Sequence, residues 1–85
     1  MSVIMYSTGY CPYCARARKL FEMKGVDYRE IRIDDHPEKR EEMIAKSGRN
    51  TVPQIFINGQ HIGGCDDMYA LENQGKLDKL LQKLG

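Results

Sequence analysis

The sequence predicts an α/β fold, in which helices flank a central mixed sheet of four strands. A strand–helix–strand pattern opens the chain, and such a βαβ unit is parallel and right-handed. Two later apolar segments are separated by Asn58-Gly59, the favoured two-residue hairpin turn, which predicts an antiparallel pair. With 85 residues, the chain is expected to form one small domain over residues 1–85.

The first half of the chain accounts for the βαβ unit and a second helix. Residues 3–6 form a short apolar run and residues 28–33 alternate, so both are predicted strands. Residues 12–24 carry apolar side chains at helical spacing, and Gly25 is a natural C-cap. A second helix is predicted to end at Gly48. We expect Asp35 or His36 to cap it, Pro37 to lie in its first turn, and Met43 and Ile44 to face inward.

The second half supplies the hairpin and the remaining helices. Strands are predicted at residues 54–57 and 60–62, followed by a tight turn at Gly63-Gly64. Asp66 and Asp67 mark the start of a helix that Gly75 breaks. Leucines then recur at i, i+3, i+4 and i+7, at Leu77, Leu80, Leu81 and Leu84. This stripe predicts core packing, and a surface for a partner helix is the alternative.

Composition and charge exclude several functions. The formal net charge is +1, which offers no electrostatic basis for binding nucleic acid or a membrane surface. No segment approaches the roughly 20 apolar residues of a membrane helix, and the N-terminal residues do not resemble a signal peptide. Three cysteines is an odd number, so a reducing, cytoplasmic location is expected.

The most informative motif is Cys11-Pro12-Tyr13-Cys14, which joins the first strand to the first helix. A helix N-terminus carries a partial positive charge of about half an elementary charge, which favours a thiolate. Thiols of Cys-x-x-Cys motifs at such positions have pKa values lowered to roughly 3.5–7.5. Pro12 suits the first helical position, because no N–H is needed there. We therefore expect an exposed nucleophile at Cys11 and a more sheltered, resolving thiol at Cys14.

Other interpretations of the cysteine pair are weaker. A zinc site would need two further ligands, and the candidates Cys65, His36 and His61 do not form a second paired motif. A permanent structural disulfide does not suit the expected compartment. Two inert core cysteines remain an alternative that the proline-containing turn makes less favourable.

Three motifs together resemble those of a glutaredoxin. They are Cys11-Pro12-Tyr13-Cys14, Thr51-Val52-Pro53 and Gly63-Gly64-Cys65-Asp66-Asp67, and the resemblance covers essentially the whole chain. It is closest to the small bacterial dithiol type. The resemblance implies a thioredoxin-like fold and an enzyme that reduces glutathione mixed disulfides and protein disulfides.

The resemblance also implies roles for individual residues. Cys11 would be the nucleophile, and Cys11 and Cys14 would form the redox disulfide. Glutathione would lie in a groove with Tyr13, Thr51 and Val52 along it, beside a cis Pro53. Its γ-glutamyl end would be held by Gly64, Cys65 and Asp66.

Elementary physics supports the γ-glutamyl site independently. Backbone N–H groups at a helix N-terminus bind carboxylates, and Asp66 could receive the ammonium of the same group. Simple helix capping is the alternative for Asp66 and Asp67. Cys65 is interpreted as a groove residue that acts through its backbone, since a lone cysteine is more often a small buried hydrophobe.

One position departs from the family pattern. Many glutaredoxins have a lysine three residues before the first active-site cysteine, where this chain has Thr8. Arg40, in the second predicted helix, is expected to supply the missing charge to glutathione. A solvated helix face is an equal alternative for Arg40.

The resemblance implies glutathione as cosubstrate, with no metal and no tightly bound cofactor. The expected partners are glutathionylated or disulfide-containing proteins, with glutathione reductase and NADPH acting indirectly on a monomeric enzyme. One alternative is a redoxin recharged by thioredoxin reductase. Another is an iron–sulfur carrier, in which two chains bridge a cluster with two glutathiones, although two cysteines and Pro12 argue against it. A non-catalytic binding module would more naturally have lost one cysteine.

Overall fold

The computed structural model describes residues 3–82, which form four strands and four helices. In chain order they are β1 (Val3–Ser7), α1 (Pro12–Lys24), β2 (Arg29–Arg32), α2 (Glu38–Ser47), β3 (Gln54–Ile57), β4 (Gln60–Gly63), α3 (Cys65–Asn73) and α4 (Leu77–Gln82). This order confirms the predicted succession of elements.

The four strands form one mixed sheet in the order β2-β1-β3-β4. β1 runs parallel to β2, and Tyr6 is paired with Ile31. β3 lies antiparallel to both β1 and β4, so the predicted hairpin is confirmed. Parallel β1 and β2 are joined through α1, and the loop from β1 to α1 begins at the carboxyl end of β1.

Helices cover both faces of the sheet and create two apolar clusters. On one face, α1, α3 and α4 pack against the sheet, and the buried side chains there are Val3, Met5, Ala17, Leu20, Phe21, Ile55, Ile57, Met68 and Leu77. On the other face, Met43 of α2 packs with Tyr6, Ile33 and Phe56. Leu77, Leu80 and Leu81 all contact the first cluster, which confirms core packing for the described part of the leucine stripe. Leu84 lies outside the described residues.

The helix boundaries follow the predicted signals for α1 more closely than for α2. α1 begins at Pro12 and ends before Gly25, whose φ of 64° is the left-handed conformation of a C-cap. α2 is preceded by Pro37 as its N-cap residue, so the expected cap at Asp35 or His36 is wrong. Proline already has a helical φ of −58° there, and the first turn closes through the N–H of Lys39 on the His36 carbonyl.

The inward face of α2 is narrower than predicted. Met43 is fully buried, whereas Ile44 remains 37% exposed, so the expectation that both face inward is wrong for Ile44. Adjacent residues on a helix point about 100° apart, and only one of the two can face the sheet squarely. None of the helices within residues 3–82 combines the length and apolar character needed to span a membrane.

Candidate active site

Cys11 lies at the N-cap of α1, in extended conformation, with its sulfur over the first turn of the helix. Its Sγ accepts the backbone N–H of Cys14 at 3.4 Å and lies 3.8 Å from the Val52 carbonyl oxygen. Pro12 occupies the first helical position as predicted. The Cys14 N–H in the first turn therefore points at the sulfur, at the end of the helix where the dipole favours negative charge.

Cys14 occupies a different environment, one turn further along α1. Its side chain is fully buried, and both thiols of the motif are free. Burial raises the pKa of Cys14 to about 12, while the backbone N–H of Thr8, which faces the sulfur, acts in the opposite direction. The two cysteines therefore differ in exposure, since Cys11 is half-buried and Cys14 is fully buried.

A groove of about 210 Å³ lies beside Cys11 between the N-terminus of α3 and the loop before β3. Its lining residues are Tyr13, Arg49, Thr51, Val52, Pro53, Gln54, Gly64, Cys65, Asp66 and Asp67. The fold thus brings together all the predicted glutathione residues except Arg40. Arg40 is exposed on α2 and is not among the lining residues, so its contact with glutathione stays a prediction.

The two walls of the groove approach each other closely. The Val52–Pro53 peptide bond is cis, as the resemblance implied. A side chain at Gly64 would place its Cβ 3.3 Å from the Pro53 carbonyl oxygen, which is tighter than ordinary van der Waals contact. Glycine therefore allows the start of α3 to lie against the proline loop, and Tyr13, 52% exposed, stands at the open side.

The N-terminus of α3 is closed by Asp67, which accepts the Gly64 N–H at 2.9 Å. Arg49 Nη1 donates to the same carboxylate oxygen, also at 2.9 Å. The Gly64 N–H and then the Arg49 guanidinium hold the pKa of Asp67 below its usual range. The capping alternative is thus confirmed for Asp67, whereas Asp66 lies in the groove wall without a described capping bond.

The sequence analysis did not identify two of the groove residues, Arg49 and Gln54. Gln54 Nε2 donates to both the carbonyl and the Oγ1 of Thr51, at 3.0 and 3.2 Å, and its Oε1 lies 2.7 Å from His61 Nε2. This chain of contacts holds the Thr51 loop on β3 and β4. Both residues flank the Thr-Val-Pro motif closely, and that proximity was the available signal.

Cys65 and Thr8, two further positions considered in the sequence, are both buried. Cys65 is buried, and burial raises the pKa of its thiol, in keeping with a structural rather than a redox role. Thr8 is only 5% exposed and does not line the groove, so this position presents no polar group to a ligand there. Among residues 3–82, no cluster of three or more His, Cys, Asp or Glu is placed to hold a metal ion.

Comparison with known proteins identifies the family. The glutaredoxin family model matches residues 3–62. Glutaredoxin 3 of Escherichia coli (strain K12) is 58% identical over 81 residues, which are 95% of this chain and 98% of that protein. The chain belongs to the glutaredoxin family.

Solved glutaredoxin structures agree with the fold. The solution structure of glutaredoxin from Brucella melitensis is 57% identical, with a TM-score of 0.83 over 95% of this chain and 88% of that one. The crystal structure of a buckwheat glutaredoxin–glutathione complex is 37% identical, with a TM-score of 0.89 over 95% of this chain and 76% of that one. This glutaredoxin therefore has the thioredoxin-like fold and is a glutathione-dependent thiol–disulfide oxidoreductase.

Proposed function

We propose that Cys11 is the nucleophile of this glutaredoxin, that Cys14 is its resolving cysteine, and that glutathione lies in the groove beside them. The observation that carries the proposal is the position of Cys11 Sγ. It lies at the N-cap of α1, accepts the Cys14 N–H, and is 3.8 Å from the carbonyl oxygen of groove residue Val52. A disulfide lying in the groove would present its sulfur to this thiolate.

In the monothiol reaction, the Cys11 thiolate attacks the glutathione sulfur of a mixed disulfide. A Cys11–glutathione disulfide forms, and the substrate leaves as a thiolate that takes a proton from water. A second glutathione, as its thiolate, then attacks the glutathione sulfur of this adduct, which gives glutathione disulfide and regenerates the Cys11 thiolate. Rates of such exchange depend on the thiolate fraction and on the leaving group.

In the dithiol reaction, the Cys11 thiolate attacks a protein disulfide, a Cys11–protein disulfide forms, and the other protein sulfur leaves as a thiolate. Cys14, as its thiolate, then attacks the Cys11 sulfur, so that the Cys11–Cys14 bond forms as the bond to the protein breaks. Two glutathiones reduce the Cys11–Cys14 disulfide and become glutathione disulfide. The buried position of Cys14 directly behind Cys11 supports this role, because the attacking thiol is shielded from other disulfides.

The groove offers a matching surface to each end of glutathione. The backbone of Val52 would pair with the cysteinyl unit, beside Thr51 and the cis Pro53.

The γ-glutamyl carboxylate would bind N–H groups at the start of α3, at Gly64 and Cys65, and Asp66 would receive the ammonium of the same γ-glutamyl unit. Tyr13 would cover the open side, and Arg40 would approach from α2. The buckwheat relative, whose structure is a glutathione complex, supports this placement.

The proposal also includes the cosubstrate, the clients and the location of the enzyme. Glutathione is the cosubstrate, so the reaction calls for neither a metal nor a bound organic cofactor. Glutathionylated and disulfide-containing proteins are the proposed clients of a monomeric, single-domain, cytoplasmic enzyme, and glutathione reductase with NADPH would restore reduced glutathione.

The test is turnover of a small glutathione mixed disulfide with glutathione, glutathione reductase and NADPH. We expect activity in the wild type and in Cys14→Ser, and none in Cys11→Ser. Loss of activity in both variants would contradict a monothiol step at Cys11. Turnover supported by thioredoxin reductase but not by glutathione would contradict the placement of glutathione in the groove.

A further inference from the structure

A partly buried polar network lies where the end of β1 meets α1 and β2. Its centre is Arg18, whose Nε and Nη2 donate to Glu30 Oε2 at 2.8 and 2.6 Å. Arg18 Nη2 also donates to the Thr8 carbonyl at 3.1 Å, and the Ser7 hydroxyl donates to the same Glu30 oxygen. The network therefore ties the end of β1 to α1 and β2.

Hydrogen bonds hold the backbone of Thr8 on both sides. The carbonyl of Ser7, which precedes the Thr8 N–H, accepts the N–H of Ile33 at 2.9 Å. The carbonyl of Thr8 is held by Arg18. Because both peptide groups that flank Thr8 are anchored, the backbone hydrogen bond by which Thr8 lowers the pKa of Cys14 is held in place.

Arg18 also acts on Cys14 through its own charge. The two residues are four positions apart on α1, so their side chains lie on the same face of the helix. Arg18 is only 23% exposed, so water screens its charge incompletely. Burial raises the pKa of Cys14, whereas the Thr8 backbone hydrogen bond and, to a smaller extent, the Arg18 charge lower it.

We propose that Arg18 is a positioning residue for the dithiol reaction, which favours the Cys14 thiolate by its charge and by its hold on Thr8. The proposal rests on the proposed role of Cys14 as the resolving cysteine. It concerns one step: the Cys14 thiolate attacks Cys11 Sγ, the Cys11–Cys14 bond forms, and the substrate leaves as a thiolate that gains a proton from water. Arg18 should not affect the earlier attack by Cys11.

The two steps can be observed separately with the aromatic disulfide dithiobis-nitrobenzoate. Attack by Cys11 releases one coloured thiolate, and attack by Cys14 on the resulting mixed disulfide releases a second. Cys14→Ser identifies the second phase, because only that phase should disappear. If the wild type shows no second phase that Cys14→Ser removes, the proposed dithiol function fails, whatever the role of Arg18.

We expect Arg18→Met to slow the second phase at neutral pH and to leave the first phase unchanged. An opposite charge close by lowers a pKa by roughly 1–3 units, and we expect the low end of this range because Glu30 offsets part of the Arg18 charge. Each unit lost would reduce the thiolate fraction about tenfold, while the higher pKa makes the thiolate about threefold more nucleophilic, so the net cost in rate is about threefold. The second phase should therefore slow about threefold, and Arg18→Lys should restore part of its rate.

Two further variants separate electrostatics from a general loss of structure. Lys19→Met removes the same charge from an exposed position of α1 and should change neither phase. Glu30→Gln removes the counter-charge but keeps Arg18, so the second phase should be no slower than in the wild type. If Arg18→Met alone does not fold, the double variant Arg18→Met with Glu30→Gln takes its place, because it leaves no unpaired carboxylate.

An unchanged second phase in Arg18→Met, or in the double variant, would overturn the proposal. Equal slowing of both phases would also overturn it, because that is the signature of a merely structural network. A slower second phase in Glu30→Gln would count against the electrostatic part, since that variant retains the positive charge.

Discussion

Arg49 and Asp67 form an ion pair across one end of the groove, with Arg49 Nη1 2.9 Å from Asp67 Oδ2. The same oxygen closes the N-terminus of α3 by accepting the Gly64 N–H. The pair thus joins the segment before Thr51 to the helix that would receive the γ-glutamyl group. It also holds a guanidinium at the groove in a chain that has threonine at position 8.

We predict that Arg49→Met weakens the use of glutathione. A guanidinium has five N–H donors, and within residues 3–82 Asp67 accepts one of those of Arg49. A partly exposed charge pair contributes up to about 1 kcal/mol, which corresponds to roughly fivefold in affinity. The KM for glutathione should therefore rise about three- to fivefold, with kcat nearly unchanged, in the coupled assay with glutathione reductase.

Arg40→Met is the comparison for this prediction. Arg40 is exposed on α2 and does not line the groove, so its loss should raise KM less than the loss of Arg49 does. A larger effect at Arg40 would assign the glutathione charge contact to α2. An Arg49→Met enzyme with normal KM and reduced kcat would contradict a binding role.

We predict that closure of the Cys11–Cys14 disulfide accelerates steeply with pH. Burial raises the pKa of Cys14 to about 12, so almost all of this thiol is protonated at neutral pH. The thiolate fraction, and with it the closure rate, should increase about tenfold per pH unit through the neutral and mildly alkaline range. The second phase of dithiobis-nitrobenzoate reduction measures this rate directly, and a flat profile would contradict a protonated resolving thiol.

We predict that Thr8→Val stabilises the protein. Within the part of the chain that the structure describes, Thr8 Oγ1 is buried and has no hydrogen-bond partner. An unsatisfied buried hydroxyl costs about 1–3 kcal/mol, and valine replaces it with a methyl group of the same shape. The free energy of unfolding in urea should rise by about 1 kcal/mol.

Thr51→Val is the matched control for the hydroxyl prediction. The Oγ1 of Thr51 accepts a bond from Gln54 Nε2 at 3.2 Å, so the same change there should give no gain in stability. A lower free energy of unfolding for Thr8→Val would show that its hydroxyl has a partner in solution.

We predict that Tyr6→Phe destabilises the junction of β1 and α2 in a pH-dependent way. The buried Tyr6 hydroxyl donates to Glu42 Oε2 at 2.6 Å and is the first cause of the lowered pKa of that carboxyl. Such a group contributes stability above its unfolded pKa and loses it as the pH falls through its folded pKa. The variant should lose about 1 kcal/mol at neutral pH, since Glu42 is partly exposed, and less in acid.

Urea unfolding of Tyr6→Phe at neutral and acid pH checks this prediction. Tyr10→Phe is the control, because Tyr10 is 80% exposed and its hydroxyl should add nothing to stability. A cost for Tyr6→Phe that stays constant down to acid pH would show that the Glu42 carboxylate is not the partner that matters.

The sequence by itself determined the local elements and the position of the cysteine pair at the start of a helix. The limits of α1, the hairpin at Asn58-Gly59 and the position of Cys11 at a helix N-cap were all predicted correctly. These features depend on proline, glycine and apolar spacing within a few residues, so short stretches of sequence contain the information. The three motifs together were also sufficient to indicate the glutaredoxin family.

Only the tertiary structure decided which distant residues meet. Arg49 contacts Asp67 across 18 positions, and Ser7 reaches Glu30 across 23, neither of which local spacing indicates. The exposure of Ile44 depended likewise on how α2 is rotated against the sheet. Such contacts depend on strand register and helix placement over the whole fold, and these are set by the collective packing of both faces of the sheet rather than by any single segment.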